Sequence, residues 1–126
     1  MHVALRAALE PVLADIAATT DLLVRVEDGD WGSIPEQLTA MLWTGRSGRG
    51  VSVLVTDSLV ERVVSVADQT EDWVPEEIGG TATNWPVCPE HPRSHPMAAR
   101  AVDGEAWWIC PVSSTTVARV GSLASG

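Results

Sequence analysis

Cys88, His91, His95 and Cys110 are the residues of this 126-residue chain whose types and spacing could do chemistry, in the pattern C-x2-H-x3-H-x14-C. Thiolate sulfur and imidazole nitrogen together suit zinc, and nothing else in the chain supports a redox metal. Two residues separate Cys88 from His91, which is the ligand spacing of structural zinc sites, where one tight turn supplies two donors. Cys110 opens a second turn, and one ion could tie the two turns together. With His95 the set would have four N/S donors and close as a tetrahedron. Pro89 and Pro111 each follow a cysteine, as in turns that aim backbone amides at a thiolate. The same residues also fit blander readings: two buried thiols, one disulfide, or histidines exposed on a Pro-rich loop. Without His95 the site would be three-coordinate with a water, or no site at all. The cofactor expected is structural Zn(2+).

The elements that must position these residues follow from periodicity. Met97–Val102 and Glu105–Cys110 read as two strands joined by Asp103-Gly104, a dipeptide suited to the positive φ angles of a type I′ turn. That hairpin would carry Cys110 back toward Cys88, and Val117–Val120 adds a short strand. Upstream, Leu5, Leu9, Val12 and Ile16 make one apolar stripe of a helix over 3–18, with Pro11 demanding a kink or a start near Glu10. Leu22–Asp28, Gln37–Thr44 and Gly50–Thr56 read as strands, the last two joined by a Gly45–Arg49 hairpin loop. Those glycines precede a strand and lack a following Gly-Lys-Ser/Thr, so they are no phosphate cradle. Ser58-Leu-Val-Glu61 is a capping box that opens a second helix over 59–78, stopped by Gly79-Gly80. Residues 79–84 read as a linker and 121–126 as a frayed tail. The expected fold class is α+β: helix, three-stranded antiparallel sheet with both helices on one face, helix, and then a metal-stapled hairpin. The hairpin would extend the sheet or pack beside it. The whole chain, 1–126, reads as a single domain.

Composition narrows the function classes. The chain has no Lys, Tyr or Phe, so its eight basic residues are all Arg and its six aromatics all Trp, in keeping with a GC-rich genome. A net charge of −9 opposes non-specific nucleic-acid binding and favours a protein partner of basic character. The acidic clusters Glu27/Asp28/Asp30 and Glu71/Asp72/Glu76/Glu77 read as turns and solvated helix faces. No segment approaches the ~20 apolar residues of a membrane span. The start lacks the apolar run of a signal peptide, so a cytoplasmic address is expected, where cysteines are thiols or ligands.

Residues 85–113 resemble a zinc ribbon, in which two Cys-Pro-x-Cys knuckles flank a β-hairpin. They depart from it twice: His91 replaces the second cysteine of the first knuckle, and Ser113 stands at the last position of the second. The resemblance therefore implies that His95 completes the ligand set. As a whole, the chain looks like small actinobacterial proteins with a similar Trp-Pro-x-Cys-Pro-x-His … Trp-x-Cys-Pro tail, a likeness that implies no activity. Trp85, Trp107 and Trp108 would cover the site. Trp107 and Trp108 are neighbours on one strand and face opposite sides, so one can be core and the other an interface anchor.

Two function classes compete. One is a non-catalytic zinc-binding domain that works through protein–protein contact, as an adaptor, regulator or assembly subunit. The other is a small zinc hydrolase with an open metal position and Glu90 as general base. Pro89, Pro92 and Pro96 rule out the regular helix of a His-Glu-x-x-His site, and four available ligands favour a closed one. Catalytic residues are therefore expected to be none. Arg93 and Arg100 are too few to make a nucleic-acid reader of a hairpin carried by so acidic a chain.

Overall fold

Residues 1–79 and 84–123 are described by the structure, a computed structural model. The apolar stripe expected near the start forms helix α1 (Val3–Thr19), with Leu5, Leu9, Val12 and Ile16 all buried. His2 caps it: its Nδ1 accepts from the Ala4 amide at 3.0 Å. The helix runs through Pro11 without interruption. The proline ring lies against Gly121, where a Cβ would come within 2.9 Å of the Pro11 Cβ.

Strands β1 (Arg25–Asp28), β2 (Gln37–Thr44) and β3 (Ser47–Leu54) form an antiparallel sheet in that order. β1 is shorter than the expected Leu22–Asp28. Arg25 already pairs with Trp43, one residue from the end of β2, so Leu22 and Leu23 have no partner to reach. β3 starts at Ser47 instead of Gly50, because Thr44 and Ser47 pair directly across a two-residue turn. Gly45 supplies its left-handed φ of 59°. Gly48 and Gly50 belong to the strand because indoles lie over them. A Cβ on Gly48 would meet the Trp43 ring at 2.6 Å, and one on Gly50 would meet Trp31 at 3.1 Å.

The expected helix over 59–78 divides into α2 (Leu59–Glu71) and α3 (Trp73–Ile78) at Asp72. Pro75 has no amide for the Glu71 carbonyl, and its ring crowds that oxygen, so a continuous helix is disfavoured there. Ser58 caps α2 as the capping box predicts, accepting from the Glu61 amide at 3.1 Å. The expected linker lies mostly outside the described residues.

The hairpin does not extend the first sheet. β4 (Ala98–Val102), β5 (Glu105–Ile109) and β6 (Thr116–Arg119) make a second antiparallel sheet of their own, so the α+β architecture contains two three-stranded sheets. Asp103 and Gly104, with φ of 50° and 79°, form the β4–β5 turn as their sequence requires. The β3 edge is occupied at Ser52. The Gln69 side-chain amide accepts from the Ser52 amide at 2.9 Å and donates to the Ser52 carbonyl at 2.8 Å, filling the place of another strand. α2 packs against α1, β3, β4 and β5, and so joins one sheet to the other.

One apolar cluster runs through all of this. It unites Leu5, Leu9, Val12 and Ile16 of α1, Leu42, Val51 and Val66 of the first sheet and α2, and Trp85, Cys88, Met97, Trp108 and Cys110 of the C-terminal third. Among the described residues, no helix is long and apolar enough to cross a membrane.

Candidate metal centre

Two turns bring the candidate ligands together, and each is held by its own contacts. Val87 and Pro96 form an antiparallel bridge, and the Met97 amide donates to the Pro86 carbonyl at 2.9 Å. Between them the His91 amide donates to the Cys88 carbonyl at 3.2 Å, and the Ser94 amide to the His91 carbonyl at 3.1 Å. Cys88, His91 and His95 thus sit on one small closed loop. Trp85 docks this loop on α1: its indole N–H donates to Thr19 Oγ1 at 2.9 Å, and its ring meets Trp108 edge to face at 5.6 Å. The second turn follows β5. The Ser114 amide donates to the Cys110 carbonyl at 2.8 Å and the Cys110 amide to the Thr115 carbonyl at 3.0 Å, with Ser114 at a φ of 63°.

One donor atom from each of Cys88, His91, His95 and Cys110 lies within 4.8 Å of every other. Tetrahedral zinc with bonds of about 2.0–2.3 Å sets its donors roughly 3.3–3.8 Å apart, so these need to close by no more than about 1.5 Å. Cys110 Sγ and His91 Nδ1 are already 3.5 Å apart. Both cysteines are free thiols and fully buried, while both imidazoles are half-buried and form the outer wall.

The best test of fit is His95. Its Nδ1 lies 3.0 Å from the Pro96 carbonyl, while Nε2 is buried with no hydrogen-bond partner. An orphaned buried nitrogen is costly unless something binds it, and a metal ion is the partner that this set of donors would share. The thiol of Cys110 points the same way. Burial pushes its pKa up, but the neighbouring backbone amides of Ser113 and Val112 favour the thiolate, and the net effect holds the thiol below its usual range. Such amides are what a ligating thiolate needs.

All four residues singled out in the sequence are brought into one place, including His95, the one with the weakest local signal. Ser113 is not among the donors. Its hydroxyl donates to Glu90 Oε2 at 2.7 Å and so joins the two turns directly. Glu90 is held below the usual carboxylate range, first by that bond and next by the Cys110 side chain. Trp108 is fully buried, and Trp107 faces the other way, half-buried beneath the Arg119 guanidinium at 5.6 Å. It is no bare anchor.

Asp15 escaped the sequence reading. It is 1 % exposed and accepts from Trp108 Nε1 at 2.7 Å, from the Gly121 amide at 2.6 Å and from the Leu123 amide at 2.9 Å. The start of the supposedly frayed tail is therefore pinned, whereas residues 124–126 lie outside the described residues. The available signal was position: Asp15 falls three residues after Val12 and one before Ile16, on the apolar stripe. No family model, curated protein or solved structure matches this chain.

Proposed function

We propose that this chain is a non-catalytic, zinc-stapled α+β domain of the ribbon type that works through contact with a protein partner, as an adaptor, regulator or assembly subunit. The observation that carries the reading is the convergence of two cysteines and two histidines, with His95 Nε2 buried and otherwise unpartnered. The loop bearing three of these residues is rich in proline and has little apolar mass. A bound ion would offset an ordering cost on the order of 1–2 kcal/mol per residue of backbone.

When bound, zinc would supply a crosslink between the Cys88–His95 loop and the Cys110 turn. The chain's own part is to present two thiolates from the core side and two imidazoles from the solvent side. Four donors leave no coordination position for an activated water, and Glu90 is engaged by Ser113; both count against a hydrolase with Glu90 as general base. A net charge of −9 suits a basic partner, and a reducing compartment such as the cytoplasm would keep both cysteines reduced and available as ligands.

Native mass spectrometry with elemental analysis of the purified protein tests this directly. One zinc per chain, released only on unfolding as long as the thiols stay reduced, is the expected result. A metal-free folded protein with two titratable thiols would overturn it.

A further inference from the structure

We infer that the centre is an exchangeable staple, in which a hydroperoxide converts the Cys88 and Cys110 thiolates to a disulfide that frees the zinc and ties the same two turns together. This rests on the zinc reading above and extends it to the site's regulation.

The distribution of the sulfurs carries the argument. The chain has two cysteines, both in this site, and each stands on a different turn with the β4–β5 hairpin between them. Two cysteines within one knuckle would, once oxidised, constrain only that knuckle. Cys88 and Cys110 instead span the junction that the metal spans. Each turn also has its own anchor: Trp85 on Thr19 and the Val87–Pro96 bridge for the first, the β5–β6 pairing for the second, and the Glu90–Ser113 bond between them. The turns thus stay close without a metal, and sulfurs within 4.8 Å have little distance to cover before bonding. Both sulfurs lie on the buried side of the site, behind half-buried His91 and His95, so the oxidant has to reach them past the imidazoles.

The chemistry balances. One thiolate attacks an oxygen of the hydroperoxide, the O–O bond breaks, and the leaving alkoxide takes a proton to depart as alcohol (water, for hydrogen peroxide). The second thiolate attacks the resulting sulfenic sulfur, the S–S bond forms, and hydroxide leaves as water with a second proton. The two sulfurs give up two electrons, and the peroxide accepts them. Two imidazoles alone remain as donors, too few to hold the ion.

The experiment uses the zinc-loaded full chain, hydrogen peroxide and a chromophoric zinc chelator. Zinc release is expected in step with an intact-mass loss of about 2 Da relative to the metal-free reduced chain. A non-reducing peptide map should show Cys88 linked to Cys110, and the oxidised protein should melt at a higher temperature than the reduced, metal-free chain. Three outcomes overturn the inference: zinc retained under peroxide, zinc lost with a gain of oxygen mass in place of the disulfide, or a disulfide form that melts like the reduced metal-free chain. If the chain carries no zinc before peroxide is added, the metal reading itself fails, and the exchange with it.

Discussion

Replacing Asp15 by asparagine should destabilise the fold by about 2 kcal/mol, although the two side chains have nearly the same shape. The Asp15 carboxylate accepts three hydrogen bonds, two on Oδ2 from Trp108 and Gly121 and one on Oδ1 from Leu123. Asparagine has one acceptor oxygen. If that oxygen keeps Trp108 and Gly121, the amide nitrogen turns its hydrogens on the Leu123 N–H. One bond becomes a donor–donor contact, costing about 1–3 kcal/mol, and the two survivors weaken by roughly half on losing the charge. Removing a buried anion offsets part of this, because Asp15 has no cation against it in the described structure. For a chain of this length the net change corresponds to a midpoint lowered by about 6–8 °C. Thermal melts followed by far-UV dichroism and tryptophan fluorescence read it out, and faster amide exchange at Gly121 and Leu123 would place the loss at the latch. A midpoint within about 2 °C of the parent would refute the reasoning, since the three bonds would then be worth no more than water supplies.

Three further outcomes follow from the same contacts. Alanine at His95 should weaken zinc binding as much as alanine at His91, each by more than the roughly 10–100-fold typical of outer-shell partners. Chelator competition measures both, and a negligible loss for His95→Ala would leave a three-donor site. Glu71 has its carboxyl pushed up to about 7, first by burial and then by the charges of Asp68 and Asp72. The folded state therefore holds a proton that the unfolded chain releases near 4.5, so the Glu71 contribution to stability is greatest below about 4.5 and is lost as pH rises through 7. The full shift would be about 3 kcal/mol, reduced to about 1–2 by partial exposure; Glu71→Gln should flatten the stability difference between pH 5 and pH 8 in urea titrations, and an unchanged slope would refute this. Gly48→Ala should cost about 1–3 kcal/mol, because its Cβ would meet the Trp43 ring at 2.6 Å; parental stability would mean the indole moves aside freely.

How far the sequence could be read depended on the range of the interaction. The α1 stripe, the Ser58 cap and the Asp103-Gly104 turn were legible because each depends on residues within one or two helical turns or a single dipeptide. The break at Asp72 was partly legible, since Pro75 is four residues beyond the carbonyl it excludes. Gly48 reads as loop from sequence because what requires a glycine there is the placement of the Trp43 indole, set by sheet register. The occupied β3 edge was not legible either, because Gln69 reads like any polar helix residue until it is seen bonded to Ser52.

By itself the sequence determined which side chains could bind a metal, since thiols and imidazoles are few and the C-x2-H turn is local chemistry. It also determined that a hairpin would carry Cys110 back. Only the tertiary structure decided that His95 joins the set, that Ser113 serves Glu90 instead, and that Asp15 of the first helix holds Trp108 and the chain's far end. The Ser113 and Asp15 hydrogen bonds span from 23 to 108 positions of sequence, and no local pattern encodes a partner so distant. They arise when the apolar faces close into one core, because each polar group buried in that closure must find a partner among whatever residues the fold has brought beside it.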